Sequence, residues 1–224
     1  TLHLGTDRAP SALLDVFKQI PLEAVRGEGV WITAADGRRY LDFYGGHAVA
    51  LLGNAHPRLV AALDAQARTL FFQSNAVALE IRERAAAALI RFGPKGLDRV
   101  FFVNSGAEAN ENALRVAFLA TRRPNVVCVA GAFHGRTAGA AAITANRAGW
   151  YGFPHEPFGT TVVPFDDLGT LDAAVGPDTA AVILEPVQGV GGARALSREF
   201  LVRAREACDR AGALLIFDEV QCGM

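Results

Sequence analysis

Residues 99–120, RVFFVNSGAEANENALRVAFLA, decide how this chain folds. An apolar run ending at Val103 gives way to small and polar residues. Behind them, apolar positions recur three and four apart. The run predicts a strand over 99–104, and the spacing predicts a helix reaching about Ala120. The corner between them is Asn104-Ser105-Gly106-Ala107-Glu108-Ala109-Asn110. A helix that opens after such a turn leaves N–H groups unpaired, and its dipole favours negative charge, so the corner suits an anion. Gly106 would let the backbone approach a phosphate closely. Glu108 works against that reading unless its side chain faces away and merely favours the first turn. The same corner serves equally well as a purely structural strand-to-helix connection.

Outward from this unit, short apolar runs alternate with helical patterns. Candidate strands cover 125–130, 161–164, 180–185 and 213–218, each nearly continuous in apolar character rather than alternating. Such runs suit strands covered on both faces. Between the last two, Phe200, Leu201, Ala204 and Cys208 form a helical stripe, with Ser197 placed to cap its start and Gly212 its end. The fold class expected is α/β, with a mostly parallel central sheet and helices on both faces. Upstream the pattern changes. Segments 29–33 and 39–43 flank Ala35-Asp36-Gly37 as a hairpin, His56-Pro57 opens a helix, and a second helix covers 77–91. The division expected is an N-terminal segment, 1–50, and a larger domain, 51–224.

Two further motifs fall at strand ends. Phe133-His134-Gly135-Arg136-Thr137 follows the strand at 125–130. Parallel strands bring such loops to one edge of the sheet, where ligands of open α/β sheets bind. An aromatic ring there can stack on a flat ligand, and arginine offers a fork to a carboxylate. A core phenylalanine beside a surface arginine explains the same residues without a ligand. Asp218-Glu219-Val220-Gln221 ends the last strand, and Glu185-Pro186 ends its predecessor. Two strand-end carboxylates on one edge suit a cationic group or a protonated ring nitrogen.

Other patterns exclude functions. Gly189-Val190-Gly191-Gly192 opens no helix, and Gly93-Pro94-Lys95-Gly96 lacks the full phosphate-loop pattern. The histidines have no metal-ligand spacing, so no metal is expected. No nucleophile elbow is present. A net charge of −1 over 224 residues gives no reason to expect nucleic acid or an anionic membrane as partner. Cys128, Cys208 and Cys222 sit in apolar neighbourhoods without CxxC spacing, as reduced buried thiols do. With neither a transmembrane run nor a secretory signal pattern in view, a soluble, cytoplasmic protein is expected.

In their order and spacing the motifs resemble the class III (ornithine-type) aminotransferases of pyridoxal-phosphate (PLP) fold type I, most nearly their acetylornithine branch. The resemblance includes DGRRYLDF at 36–43, LGNAHP at 52–57, SGAEAN at 105–110, FHGRT at 133–137, EPVQG at 185–189 and FDEVQ at 217–221. Val190 departs from it, since relatives carry glutamate there.

The resemblance implies PLP as cofactor, its phosphate held by Ser105, Gly106 and Ala107. It implies Phe133 stacked on the ring and Val220 on the opposite face. Asp218 would pair with the ring nitrogen, with Glu219 beside it and Gln221 near the ring hydroxyl. Arg136 would take the substrate carboxylate, and Glu185 would lie in the amino-group pocket. The implied reaction is a ping-pong transfer from an ω-amino donor, N-acetylornithine or a close analogue, to 2-oxoglutarate, in a homodimer with interfacial active sites. Ornithine, 4-aminobutyrate and carrier-bound lysine are alternative donors. The Schiff-base lysine is expected some thirty residues beyond Gln221, so the large domain is expected to be truncated before a C-terminal small domain and inactive alone. The alternative of another class is a lysine-free, non-catalytic homologue or fragment.

Overall fold

The computed structural model describes residues 12–14, 19–145 and 152–223. They belong to two compact units, Thr1–Leu79 and Glu80–Met224. This division lies well beyond residue 50, the boundary expected from sequence. Part of the reason is local: Gly29 and Asn54 exchange backbone hydrogen bonds of 2.9 and 2.7 Å, which tie residues after 50 back to the first strands.

The first unit is built on an antiparallel three-stranded sheet, β1 (Ala24–Glu28), β2 (Trp31–Ala34) and β3 (Arg39–Leu41). The expected hairpin is β2–β3, with its first strand set slightly later in the chain. The Ala34 N–H donates to Arg38 O at 2.9 Å, and the Asp36 carboxylate accepts from Arg38 N at 3.0 Å. β1 was not expected: a bulge between Ala24 and Arg26 interrupts its pairing, so no clean alternation marks it. A short turn, α1 (Gly45–Ala48), leads to α2 (Pro57–Thr69), which opens on proline at its first position as expected.

The second unit holds α3 (Glu80–Phe92), α4 (Gly106–Thr121), β4 (Asn125–Val129), α5 (Ala138–Ala142), β5 (Gly159–Val163), α6 (Leu168–Ala174), β6 (Thr179–Leu184), a small hairpin β7 (Val187–Gln188) with β8 (Arg194–Ala195), α7 (Arg198–Ala211) and β9 (Leu214–Phe217). β5, β4, β6 and β9 lie in that order, every neighbouring pair parallel. The expected strand at 99–104 is not formed. A strand exists only through a partner's hydrogen bonds, and among the described residues none pairs with this segment, which leaves Phe101 67% exposed. The helix expected over 77–91 starts at Glu80 instead.

The continuous apolar runs are explained by layers on both faces of this sheet. Val127, Val129, Val182 and Leu184 pack with Leu171 of α6 and with Phe200, Ala204 and Cys208 of α7. Their immediate neighbours Val126, Cys128 and Ile183 pack on the other side with Leu114 of α4 and Ile143. Side chains alternate across a strand, so each position serves one core only. Ser197 caps α7 by accepting from Phe200 N at 3.1 Å, and Gly212 ends it in the left-handed conformation, as the sequence predicts. Burial drives the Cys208 thiol pKa up to about 11, so this buried cysteine is inert.

Candidate functional site

Parallel pairing sends the C-terminal ends of β4, β6 and β9 to one edge of the sheet. Leu184 lies opposite Phe217, so Glu185 and Asp218 follow the same rung. Each stands two residues beyond a residue of the α4-side core, Ile183 or Ile216. Both carboxylates therefore fall on that face of the sheet. Both are buried, Glu185 at 3% exposure and Asp218 at 5%.

Asp218 is the better partnered. Its Oδ2 accepts from Asn110 Nδ2 at 2.7 Å and lies 2.7 Å from His134 Nδ1. Its Oδ1 accepts from Val220 N at 3.0 Å. Burial alone would raise its pKa. The hydrogen bond and charge of His134, with the donors of Val220 and Asn110, outweigh that and hold the carboxyl below its ordinary range. Asp218 is an anion at neutral pH. Glu185 goes the other way: burial raises its pKa, only partly offset by Phe133 N, which donates to Oε2 at 2.9 Å.

α4 forms the floor. Ser105 caps it, accepting from Glu108 N at 3.2 Å, while the Glu108 carboxylate reaches back to accept from Asn104 N at 2.6 Å. That is close to a capping box, and it disposes of the carboxylate that weakened the anion reading. The first-turn N–H groups of Gly106 and Ala107 have no acceptor within the helix. A side chain already stands beside Gly106: a β-carbon there would come within 2.8 Å of Val220 Cγ1.

The loop after β4 is fitted to this floor. Gly135 has φ of +132°, and a β-carbon on it would lie 2.8 Å from that of Ala107. Glu111 of α4 fastens the next turn, its Oε1 accepting from Thr137 Oγ1 at 2.6 Å, Gly139 N at 2.8 Å and Ala140 N at 3.2 Å. Phe133 is half-buried and Arg136 exposed in this loop. Beyond Asp218, Glu219 and Val220 are exposed, and half-buried Gln221 lies against Gly189.

The structure thus connects Gly106 with Val220, Ala107 with Gly135, Phe133 with Glu185, and Asp218 with Val220. Ser105 is the cap, and Arg136 and Glu219 stand at the margin. Sequence reasoning missed the partners of Asp218. His134 and Asn110 were both inside quoted motifs without a role. Asn110 carried a usable signal: with Leu114 and Ala117 it makes the buried face of α4, where it is the polar member.

A buried aspartate held ionised, flanked by free helix N–H groups and an aromatic residue, fits a ligand with a protonated ring nitrogen at one end and a phosphate at the other. Among the described residues no helix is long and apolar enough to cross a membrane.

The class-III aminotransferase family model matches residues 15–224. Acetylornithine aminotransferase from Mesorhizobium japonicum is 43% identical over 220 residues, covering 96% of this chain and 55% of its own length. The enzyme of the same name from Mycolicibacterium smegmatis is 44% identical over 218 residues, covering 97% and 55%. The chain therefore spans about half the length of the curated relatives it matches. Among solved structures, ornithine aminotransferase from Toxoplasma gondii ME49 superposes with a TM-score of 0.86 at 30% identity, over 94% of this chain and 52% of that one. Taurine:2-oxoglutarate aminotransferase from Bifidobacterium kashiwanohense, in complex with PLP and glutamate, gives 0.84 at 26% identity, over 93% and 53%.

Proposed function

The chain belongs to the class III aminotransferases, and on that premise we propose that it supplies the PLP side of an active site moving an amino group from N-acetylornithine, or a close ω-amino analogue, to 2-oxoglutarate. The reading includes a homodimer as the working form. The observation that carries it is the ionised, buried Asp218 at the end of β9, held by donors from two other elements.

PLP, when bound, supplies an electron sink that eases proton removal next to the substrate nitrogen. The chain's own residues do the rest. Asp218 keeps a proton on the ring nitrogen by placing a negative charge beside it. Gly106 and Ala107 offer backbone N–H groups to the phosphate, and Ser105 fixes the turn that presents them. Phe133 and Val220 bound the two faces of the ring and exclude water. Arg136 takes a substrate carboxylate with its guanidinium fork. Glu185, buried beside Phe133, shapes the amino-group pocket, and Gln221 stands near the ring hydroxyl. The names of the curated relatives support N-acetylornithine over other ω-amino donors.

The test is a turnover assay on the protein at its natural length, purified with PLP. N-acetylornithine, ornithine and 4-aminobutyrate are offered as donors in turn, and glutamate formed from 2-oxoglutarate is measured. Preference for N-acetylornithine is expected. A PLP-loaded protein that turns over no donor would sink the transferase reading, and one that takes up no PLP would sink the site itself.

A further inference from the structure

We propose that Asn110 is a positioning residue, whose side-chain amide ties both the Asp218 carboxylate and the turn carrying Phe133 to the phosphate-binding end of α4. The inference rests on the reading of Asp218 as the ring-nitrogen partner. Asn110 Nδ2 carries two hydrogens and both are used, one to His134 O at 2.8 Å and one to Asp218 Oδ2 at 2.7 Å. Both acceptors lack hydrogens of their own, so the nitrogen of the amide must be the end that faces them.

Its position makes the arrangement informative. Asn110 is 4% exposed, on a helix face continued by Leu114 and Ala117. A polar side chain buried there is costly unless its hydrogens are well placed. They are placed on the carboxylate assigned to the ring nitrogen and on the backbone next to Phe133. Gly106 lies four residues earlier, about 6 Å along the helix axis. The N–H groups offered to the phosphate and the clamp on Asp218 are thus carried by a single rigid element. Without Asn110, Asp218 keeps His134 and Val220 as partners, but its link to α4 is lost. The same change removes the α4 link of the His134 carbonyl.

The experiment compares Asn110→Leu, Asn110→Asp and Asp218→Asn in the PLP-loaded protein at its natural length. PLP affinity is measured by titration, and the visible absorbance of the bound cofactor is followed against pH without amino donor. Asn110→Leu should weaken PLP binding by about tenfold or more, since a hydrogen bond to a charged group is worth roughly 10- to 150-fold, and should shift the pH profile of the absorbance. Asn110→Asp should be worse, because it sets a second carboxylate against Asp218. If leucine prevents folding, Asn110→Ala makes the same comparison, since it too lacks a donor. A purely structural asparagine would lower Tm and leave the pH profile of the loaded protein unmoved. That outcome, with Asp218→Asn still losing PLP, overturns this inference alone. Unchanged PLP affinity in Asp218→Asn overturns the reading beneath it.

Discussion

Val220 Cγ1 lies 2.8 Å from where a β-carbon on Gly106 would stand, and Cγ2 lies 2.9 Å from it. The start of α4 and the turn after β9 are thus fitted to one another with no room for a methyl group. Gly106→Ala should force the turn away, at a cost of about 1–3 kcal/mol for overpacking, and should weaken PLP binding. Val220→Ala removes the two nearest atoms and leaves the β-carbon at 3.3 Å, so the double variant should recover part of the lost stability. Additive losses in a double-mutant cycle by chemical denaturation would show that the two do not meet.

Asp218 and Glu185 should leave opposite marks on stability against pH. The Asp218 carboxyl is held below its unfolded value of about 3.9. Its contribution is therefore complete above that pH and lost as pH falls through the folded value. Glu185 is raised by burial, so its charge costs stability as pH climbs from its unfolded value through its folded one. Glu185→Gln keeps an acceptor for Phe133 N and removes the charge, and it should raise Tm at neutral pH but hardly in acid. Asp218→Asn should lower Tm at neutral pH and flatten the acid limb. A Tm series from pH 3 to 8 reads both, and a Glu185→Gln protein less stable at pH 7 contradicts the account.

Glu111 decides how firmly the Arg136 loop is held. One carboxylate oxygen accepts three hydrogen bonds at the start of α5. Glu111→Ala should cost about 1–2 kcal/mol, as the loss of a helix cap does, and raise KM for the amino donor more than it changes kcat. An unchanged KM would mean that the loop holds its shape without this anchor.

Phe200 is wholly buried between α7 and the sheet, in the layer away from the site residues. Phe200→Ala should cost about 3–5 kcal/mol in denaturant unfolding and leave PLP affinity unchanged in the folded fraction. A loss of affinity without loss of stability would reverse the assignment of this layer.

What the sequence made legible follows the range of the interactions. The runs at β4, β6 and β9, the caps Ser197 and Gly212, and the strand-end acids Glu185 and Asp218 are local or periodic features, and each falls where expected. The failures were non-local. An apolar run at 99–104 looks like any buried strand, but whether it pairs depends on a partner that the run does not specify. β1 exists because β2 accepts it across a bulge. His134 sat unremarked beside Phe133 because nothing local relates it to an aspartate 84 positions away.

β4 has helices on both sides, and odd and even positions along it answer to different neighbours. Val127 and Val129 belong to the core shared with α6 and α7, while Val126 and Cys128 belong to the core shared with Leu114 of α4, the helix that carries Asn110. Parity along the strand therefore sorts its substitutions into two groups. Change at one set of positions can drift with its rear-wall partners without reaching the ligand side. Change at the other set, one residue away, reaches the core that the helix carrying the clamp helps to build.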